Sequence, residues 1–247
     1  MITRKELEEY AKSRGMRNIG QAEKDYFQNI LLFIIYKSFG SEIVFKGGTA
    51  LSKCYGLNRF SDDLDFACKK EFDFKIIEEG IKRFKIDFKI EEEAFERSKS
   101  YIIRINGPLY TGNKNSACKL ILDFSFREEV IIKPAVKSIG RFLEEILSFD
   151  VYVMAEEEIF AEKIRAVLTR NKARDVYDLY FLVESGLKLN KELVDKKLEY
   201  YKIKFKEKDF IKAIKAKKEI WKSELSGLIE NVPDFSEVSS KILGALR

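Results

Sequence analysis

Residues Lys46–Phe66 read KGGTALSKCYGLNRFSDDLDF, and the fold is decided by how this stretch is read. An apolar run, Ile43–Phe45, ends in Gly47-Gly48-Thr49. A helix-like segment follows, and a second strand-like run then carries Asp63 and Asp65. Glycines let a backbone approach a ligand closely, and the N–H groups at a helix start suit a phosphate. Thr49 adds a hydroxyl. The element is not a Walker A loop, because the GxxxxGK[ST] spacing is absent. Taken alone, Gly-Gly-Thr reads equally well as a plain strand-to-helix turn.

Asp63 and Asp65 give the glycines a context. Alternate side chains on a strand share a face, so both carboxylates are expected on one side and Asp62 on the other. Two carboxylates on one face repel unless a cation lies between them, and Mg²⁺ takes such oxygen ligands while keeping positions open for phosphates. A polar turn is the alternative, since Ser-Asp-Asp is also a loop sequence. Asp123 lies in KLILDFSF, a later apolar run. A carboxylate inside such a strand is uncommon unless paired or metal-bound, so Asp123 is the candidate third ligand and base; the alternative is a surface-facing edge position.

Composition narrows the chemistry. The chain has 247 residues, 45% hydrophobic and 35% charged, enough for one large domain or two small ones. It has no histidine, which removes Ser-His-Asp triads, Cys-His dyads and HExxH zinc sites. Cys54, Cys68 and Cys118 form no CxxC pair and are odd in number, so they are expected as buried thiols. No apolar run reaches the ~18–20 residues of a membrane span, and the N-terminus lacks a signal-peptide layout, so a cytoplasmic location without membrane contact is expected. The charge is uneven. Residues 186–247 hold 15 Lys/Arg against 10 Asp/Glu, whereas residues 1–185 hold 31 of each.

Periodicity divides the chain into an α+β part and a helical part. Thr3-x-x-Glu6 is a capping box opening a helix that ends near Gly15, and Ala22–Phe39 is a longer helix closed by Gly40. Thr49–Tyr55 and Phe74–Phe84 are helical. Ile43–Phe45, Leu64–Cys68, Ile86–Glu91, Tyr101–Ile105 and Lys119–Phe126 read as strands, with Val130–Pro134 and Val151–Met154 as candidate edge strands. Gly107–Ser116 is a loop. From Glu156 onward five helices are expected: Ile159–Leu168, Asp175–Glu184, Lys191–Phe205, Glu207–Ile229 and Phe235–Leu246. The expected organisation is a core domain over residues 1–155 and a helical domain over 156–247.

With these residues in view, the chain resembles the AbiEii family, the toxin half of type IV toxin–antitoxin and abortive-infection systems. The family pattern GG[ST]-x-L, then R-[FY]-S-[DE]-D-[IL]-D-F, is met by Gly47, Gly48, Thr49 and Leu51, then by Arg59, Phe60, Ser61, Asp62, Asp63, Leu64, Asp65 and Phe66. Glu23-Lys24-Asp25-Tyr26 resembles the EKDY start of the family's leading helix. Glu162-Lys163 and Arg174-Asp175-Val176-Tyr177-Asp178-Leu179 resemble its E-K…R-D-x-Y-D-L motif.

The resemblance implies a polymerase-β-like nucleotidyltransferase core with a mixed sheet, followed by a C-terminal helical bundle. It implies transfer of a nucleoside monophosphate from an NTP to an acceptor, with RNA, at the tRNA 3′ end, as the acceptor and a cognate antitoxin as partner. On this expectation Gly47, Gly48 and Thr49 hold the NTP phosphates and Arg59 meets phosphate charge. Asp63, Asp65 and Asp123 bind two Mg²⁺ ions. Lys163 and Asp178 close over the nucleotide. Lys163 lies at the edge of the apolar stripe Phe160, Ile164, Val167 and Leu168; for Asp178 the alternative is an ordinary helical pair with Arg174. A non-catalytic nucleotide- or antitoxin-binding module and nucleotidylylation of a protein are the other functional readings. Residues Lys196–Lys222 hold 11 lysines against four acids, which suits RNA phosphates or a merely solvated helix face.

Overall fold

The computed structural model describes residues 2–127, 129–140 and 148–245. The chain forms two compact units: Met1–Ala50 with Asp62–Glu129 and Ala135–Val153, and Leu51–Ser61 with Val130–Pro134 and Met154–Arg247.

The first unit is a mixed sheet with helices. In chain order it runs α1 (Arg4–Ser13), α2 (Ile19–Phe39), β1 (Ile43–Lys46), the start of α3 (Gly47–Tyr55), β2 (Leu64–Cys68), α4 (Lys75–Arg83), β3 (Phe88–Phe95), β4 (Ser98–Ile105), β5 (Cys118–Ser125), β6 (Ala135–Ile139) and β7 (Phe149–Val153). The seven strands lie in the order β3-β4-β5-β2-β1-β7-β6. β2 is central. It pairs antiparallel with β1 and parallel with β5. The sequence places it there: Leu64, Phe66 and Cys68 are buried on one side, and Phe66 stacks between Phe45 and Phe124 at 5.5 and 5.0 Å.

Caps fix the first helices. Thr3 and Glu6 complete the expected capping box, and Asn18 accepts from the backbone N–H of Gly20 and Gln21. That Asn18 cap starts α2 three residues before the expected Ala22, and Gly40 closes it. α2 buries Phe27, Ile30, Leu31, Ile34 and Ile35, yet carries Glu23, Gln28 and Asn29 inside as well.

The second unit is helical: α5 (Glu156–Thr169), α6 (Ala173–Glu184), α7 (Lys191–Glu199), α8 (Glu207–Lys215), α9 (Trp221–Leu225) and α10 (Phe235–Gly244). The expected α+β class with a mixed sheet and a following helical set is thus present.

Four expectations need correction. Val130–Pro134 is not a strand, because Ile131 and Ile132 donate their N–H groups to the Glu158 carboxylate; strand β6 begins only after Pro134. Glu207–Ile229 is not one helix. Positions 217 and 218 would continue the Phe210–Ile214 stripe, but both are lysine, and the backbone tightens there into three-residue turns before Trp221 enters the core. Lys191–Phe205 ends at Glu199, closed by Lys202 at φ +55, a left-handed residue without glycine to announce it. The β3–β4 hairpin runs to Phe95 and Ser98, farther than expected; its outer end is exposed and charged, so no apolar alternation marks it in the sequence. Of the expected last helix Phe235–Leu246, residue Leu246 lies outside the described residues.

Gly80 provides a test of packing against propensity. A Cβ there would stand 2.3 Å from Cγ2 of Ile34 on α2. Helix propensity favours alanine by ~1 kcal/mol, while forcing a methyl into a filled core costs about 1–3 kcal/mol. Gly80→Ala is expected to lower stability in chemical denaturation; a gain would mean α4 does not press on α2 as described.

Candidate active site

The first unit gathers Gly47, Asp65 and Asp123. The register pairs Lys46 with Asp65 across β1–β2 and Asp65 with Asp123 across β2–β5. Register partners on neighbouring strands share a face about 4.8 Å apart. The burial alternates accordingly: Leu64, Phe66, Leu122 and Phe124 face the core, while Asp65 and Asp123 are half-buried on the other side. Two acidic side chains therefore stand side by side.

Gly47 makes the approach of helix to strand possible. Its φ is +78, and a Cβ at this position would lie 2.3 Å from Asp65 Oδ2. α3 opens at Gly47 with no residue between it and β1. Thr49, 1% exposed, donates its hydroxyl to the Asp63 carbonyl. Asp63 is the residue immediately before β2, two positions from Asp65. Asp62 turns to α2, where Lys24 Nζ meets its Oδ1 at 2.5 Å and Gln28 Nε2 donates to its carbonyl at 2.8 Å.

The leading-helix motif has a physical account. Glu23 accepts from Leu109 N–H at 2.9 Å, and Gly107 lies so close that a Cβ there would be 2.6 Å from Glu23 Oε1. Burial raises the Glu23 pKa, partly offset by that N–H. Asp25 accepts from the Tyr10 hydroxyl at 2.5 Å. Gln28 is 1% exposed and fixes the backbone just ahead of Asp63. Sequence reasoning passed over it; its signal was the polar pair Gln28-Asn29 in an otherwise apolar run, Tyr26–Tyr36.

The second unit gathers Arg59, Lys163 and Asp178 in a separate cluster. Arg59 is bidentate to Asp178, Nε to Oδ1 at 2.6 Å and Nη2 to Oδ2 at 2.8 Å, and its Nη1 donates to the Phe60 carbonyl. Lys163 Nζ lies 2.5 Å from Asp178 Oδ2 and 3.1 Å from Asp175 Oδ1. Arg170 closes the chain on Asp175 at 2.7 and 2.8 Å. Arg174 does not pair with Asp178; its Nε lies 3.9 Å from Glu224. The Arg59 side chain is 1% exposed and that of Lys163 7%. Burial alone would push both carboxyls up, but Lys163 and Arg170 hold Asp175, and Arg59 and Lys163 hold Asp178, below the ordinary carboxylate range.

A model of the family described as nucleotidyl transferase AbiEii toxin, type IV TA system, matches residues 30–241. The chain belongs to this family. Solved structures agree in fold. JHP933 from Helicobacter pylori is 23% identical with a TM-score of 0.61, covering 92% of this chain and 90% of that one. MenT4, a nucleotidyltransferase toxin from Mycobacterium tuberculosis H37Rv, is 18% identical with a TM-score of 0.64, covering 100% of this chain and 89% of that one. No curated protein matches. This AbiEii chain is accordingly a nucleotidyltransferase of the toxin class. Among the described residues no helix is long and apolar enough to cross a membrane.

The buried cluster sets an acid limit. Both carboxyls have depressed pKa values in the folded state, so their stabilisation is present above the unfolded-state value of ~3.9 and is lost as pH falls below it. Asp178→Asn leaves two buried cations poorly paired, a loss of about 3–5 kcal/mol at neutral pH. Denaturation followed from neutral to acid pH should show the variant losing less than wild type on acidification; parallel curves would mean Asp178 does not carry that dependence.

Proposed function

We propose that this AbiEii protein is an Mg²⁺-dependent nucleotidyltransferase that moves a nucleoside monophosphate from an NTP to an RNA acceptor, at the tRNA 3′ end, and that an antitoxin partner restrains it. The observation that carries the reading is Asp65 and Asp123 in register on adjacent strands, with the backbone of Gly47 against Asp65.

The donor set fits the metal. Mg²⁺ is usually held by one or two carboxylates plus substrate phosphates rather than by an all-protein cage. Among the described residues no group of three acidic or thiol side chains forms such a cage, but the paired carboxylates of Asp65 and Asp123, with Asp63 two residues away, supply the hard oxygens such a site uses. These three residues would hold the two ions. Bound there, the metal would neutralise phosphate charge on the attacking and leaving oxygens.

The chain's own residues do the rest. Gly47 and Gly48 present backbone without side-chain bulk to the NTP phosphates, and Thr49 braces that turn against Asp63. Asp123 accepts the proton of the acceptor hydroxyl. The hydroxyl oxygen then bonds to the α-phosphorus, the bond from that phosphorus to the pyrophosphate oxygen breaks, and pyrophosphate leaves. Within the second unit Asp178 bridges Arg59 to Lys163, so Asp178 and Arg59 act as positioning residues for that lysine.

Two measurements test this. Purified protein, Mg²⁺ and total tRNA are offered each α-labelled NTP in turn; label on RNA supports the reading, whereas label on protein alone points to nucleotidylylation. Asp65→Ala and Asp123→Ala are expected to lose transfer by at least ~10³-fold, and transfer at the wild-type rate by either would refute the assigned carboxylates. Gly47→Ala should lower turnover by about 10²-fold with the fold intact, because it displaces Asp65. Normal turnover in that variant would mean the Gly47–Asp65 approach is unrelated to chemistry.

A further inference from the structure

The nucleotide chemistry leaves one feature of the chain unused. Residues 202–222 hold nine lysines and three acids, a surplus of six against a net charge of +5 for the whole protein. Lys202, Lys204, Lys206, Lys208, Lys212, Lys215, Lys218 and Lys222 are all exposed; Lys217 alone is buried. Among the described residues none of the eight makes an ion pair. Other lysines do pair: Lys196 with Glu192 at 3.0 Å, Lys241 with Glu184 at 3.0 Å and Lys99 with Glu71 at 2.9 Å.

The placement is ordered. Lys208, Lys212 and Lys215 stand at i, i+4 and i+7 on α8, opposite the face that buries Phe210 and Ile214. Like charges at this spacing destabilise a helix, and among the described residues no acid forms an ion pair with any of the three. The apolar side chains nearby are already spent: Phe210, Ile214, Trp221 and Leu225 are all buried. None of the exposed large hydrophobics falls within residues 202–222. Tyr200, 40% exposed, lies just outside the row, and Ile203, Phe205, Ile211 and Ile220 within it are half-buried, so charge rather than apolar surface dominates what it presents. What remains is a row of exposed point charges, the pattern that binds a polyanion by counterion release.

We propose that the exposed lysines of residues 202–222 form a docking surface for the phosphodiester backbone of a nucleic acid, occupied by the RNA acceptor. The inference deepens the function proposed above and rests on its choice of RNA, but it concerns binding, which is measured without turnover. Recognition by backbone charge gives affinity without base selection.

The test is fluorescence anisotropy of a labelled mixed-sequence RNA, and of DNA of the same sequence and length, titrated with full-length protein without NTP at several salt concentrations. Wild type is expected to bind both, with affinity falling steeply as salt rises. Joint substitution Lys208→Gln, Lys212→Gln, Lys215→Gln and Lys222→Gln should weaken binding and reduce the log–log salt slope by about 3, from roughly 0.7 per lost phosphate contact. A control variant with paired lysines changed, Lys69→Gln and Lys70→Gln, which pair with Glu42 at 3.8 and 3.4 Å, together with Lys99→Gln and Lys241→Gln, removes the same charge and should keep the wild-type slope. Absence of RNA binding by wild type, equal loss in the control, or an unchanged slope in the first variant overturns the proposal. The two readings fail separately. Intact binding without label transfer sinks only the enzyme reading, and intact transfer with lysine-independent binding sinks only the docking surface.

Discussion

The carboxylate of Asp65 occupies the space that a side chain at residue 47 would need, and three other contacts act to keep it there. Gln28 and Thr49 each donate to a main-chain carbonyl, of Asp62 and Asp63, in the two residues leading into β2. Lys24 takes the Asp62 side chain away to α2. The central strand therefore enters the sheet at one height only, and its register with β5 sets Asp65 beside Asp123. A one-residue slip would send Asp65 to the core face and bring Leu64 out. The stacked Phe45, Phe66 and Phe124 rings oppose that slip from below.

The second unit uses charge differently. Arg59, Asp178, Lys163, Asp175 and Arg170 alternate in sign along one connected chain, from a side chain 1% exposed to one 50% exposed. Buried ion pairs of this kind add little net stability compared with well-packed apolar residues, because desolvation offsets the attraction. Their consequence is geometric: each of the three inner members, Asp178, Lys163 and Asp175, has its place fixed by two neighbours of opposite sign. Lys163 is the one cation of the set shared by both carboxylates.

Much of this was legible from residue types and spacing. The strand–Gly-Gly-Thr–helix–strand succession around Lys46–Phe66 appears as read, as do the caps at Thr3 and Gly40. Partners far apart in the chain were not legible. Arg59 read as a phosphate ligand because nothing local announced Asp178, 119 residues on. A helical pair of Arg174 with Asp178 was the alternative for Asp178, yet tertiary partners take both. Gln28 went unnoticed because its role depends on a carbonyl 34 residues away. The missed breaks at Glu199 and Ala216 share another cause. They are made by lysines in unusual conformations or at core positions, not by glycine or proline.

The span between Arg59 and Asp178 also bears on synthesis. A nascent chain grows at about 5–20 residues per second, so Arg59 waits roughly 6–24 s before its carboxylate partner is made. Until then its guanidinium belongs in water, and Leu51–Ser61 has no helical unit to join. Any product that stops before α6 leaves that segment stranded with a charge it cannot bury. The order of the chain thus defers the burial of Arg59 until α6 has been made.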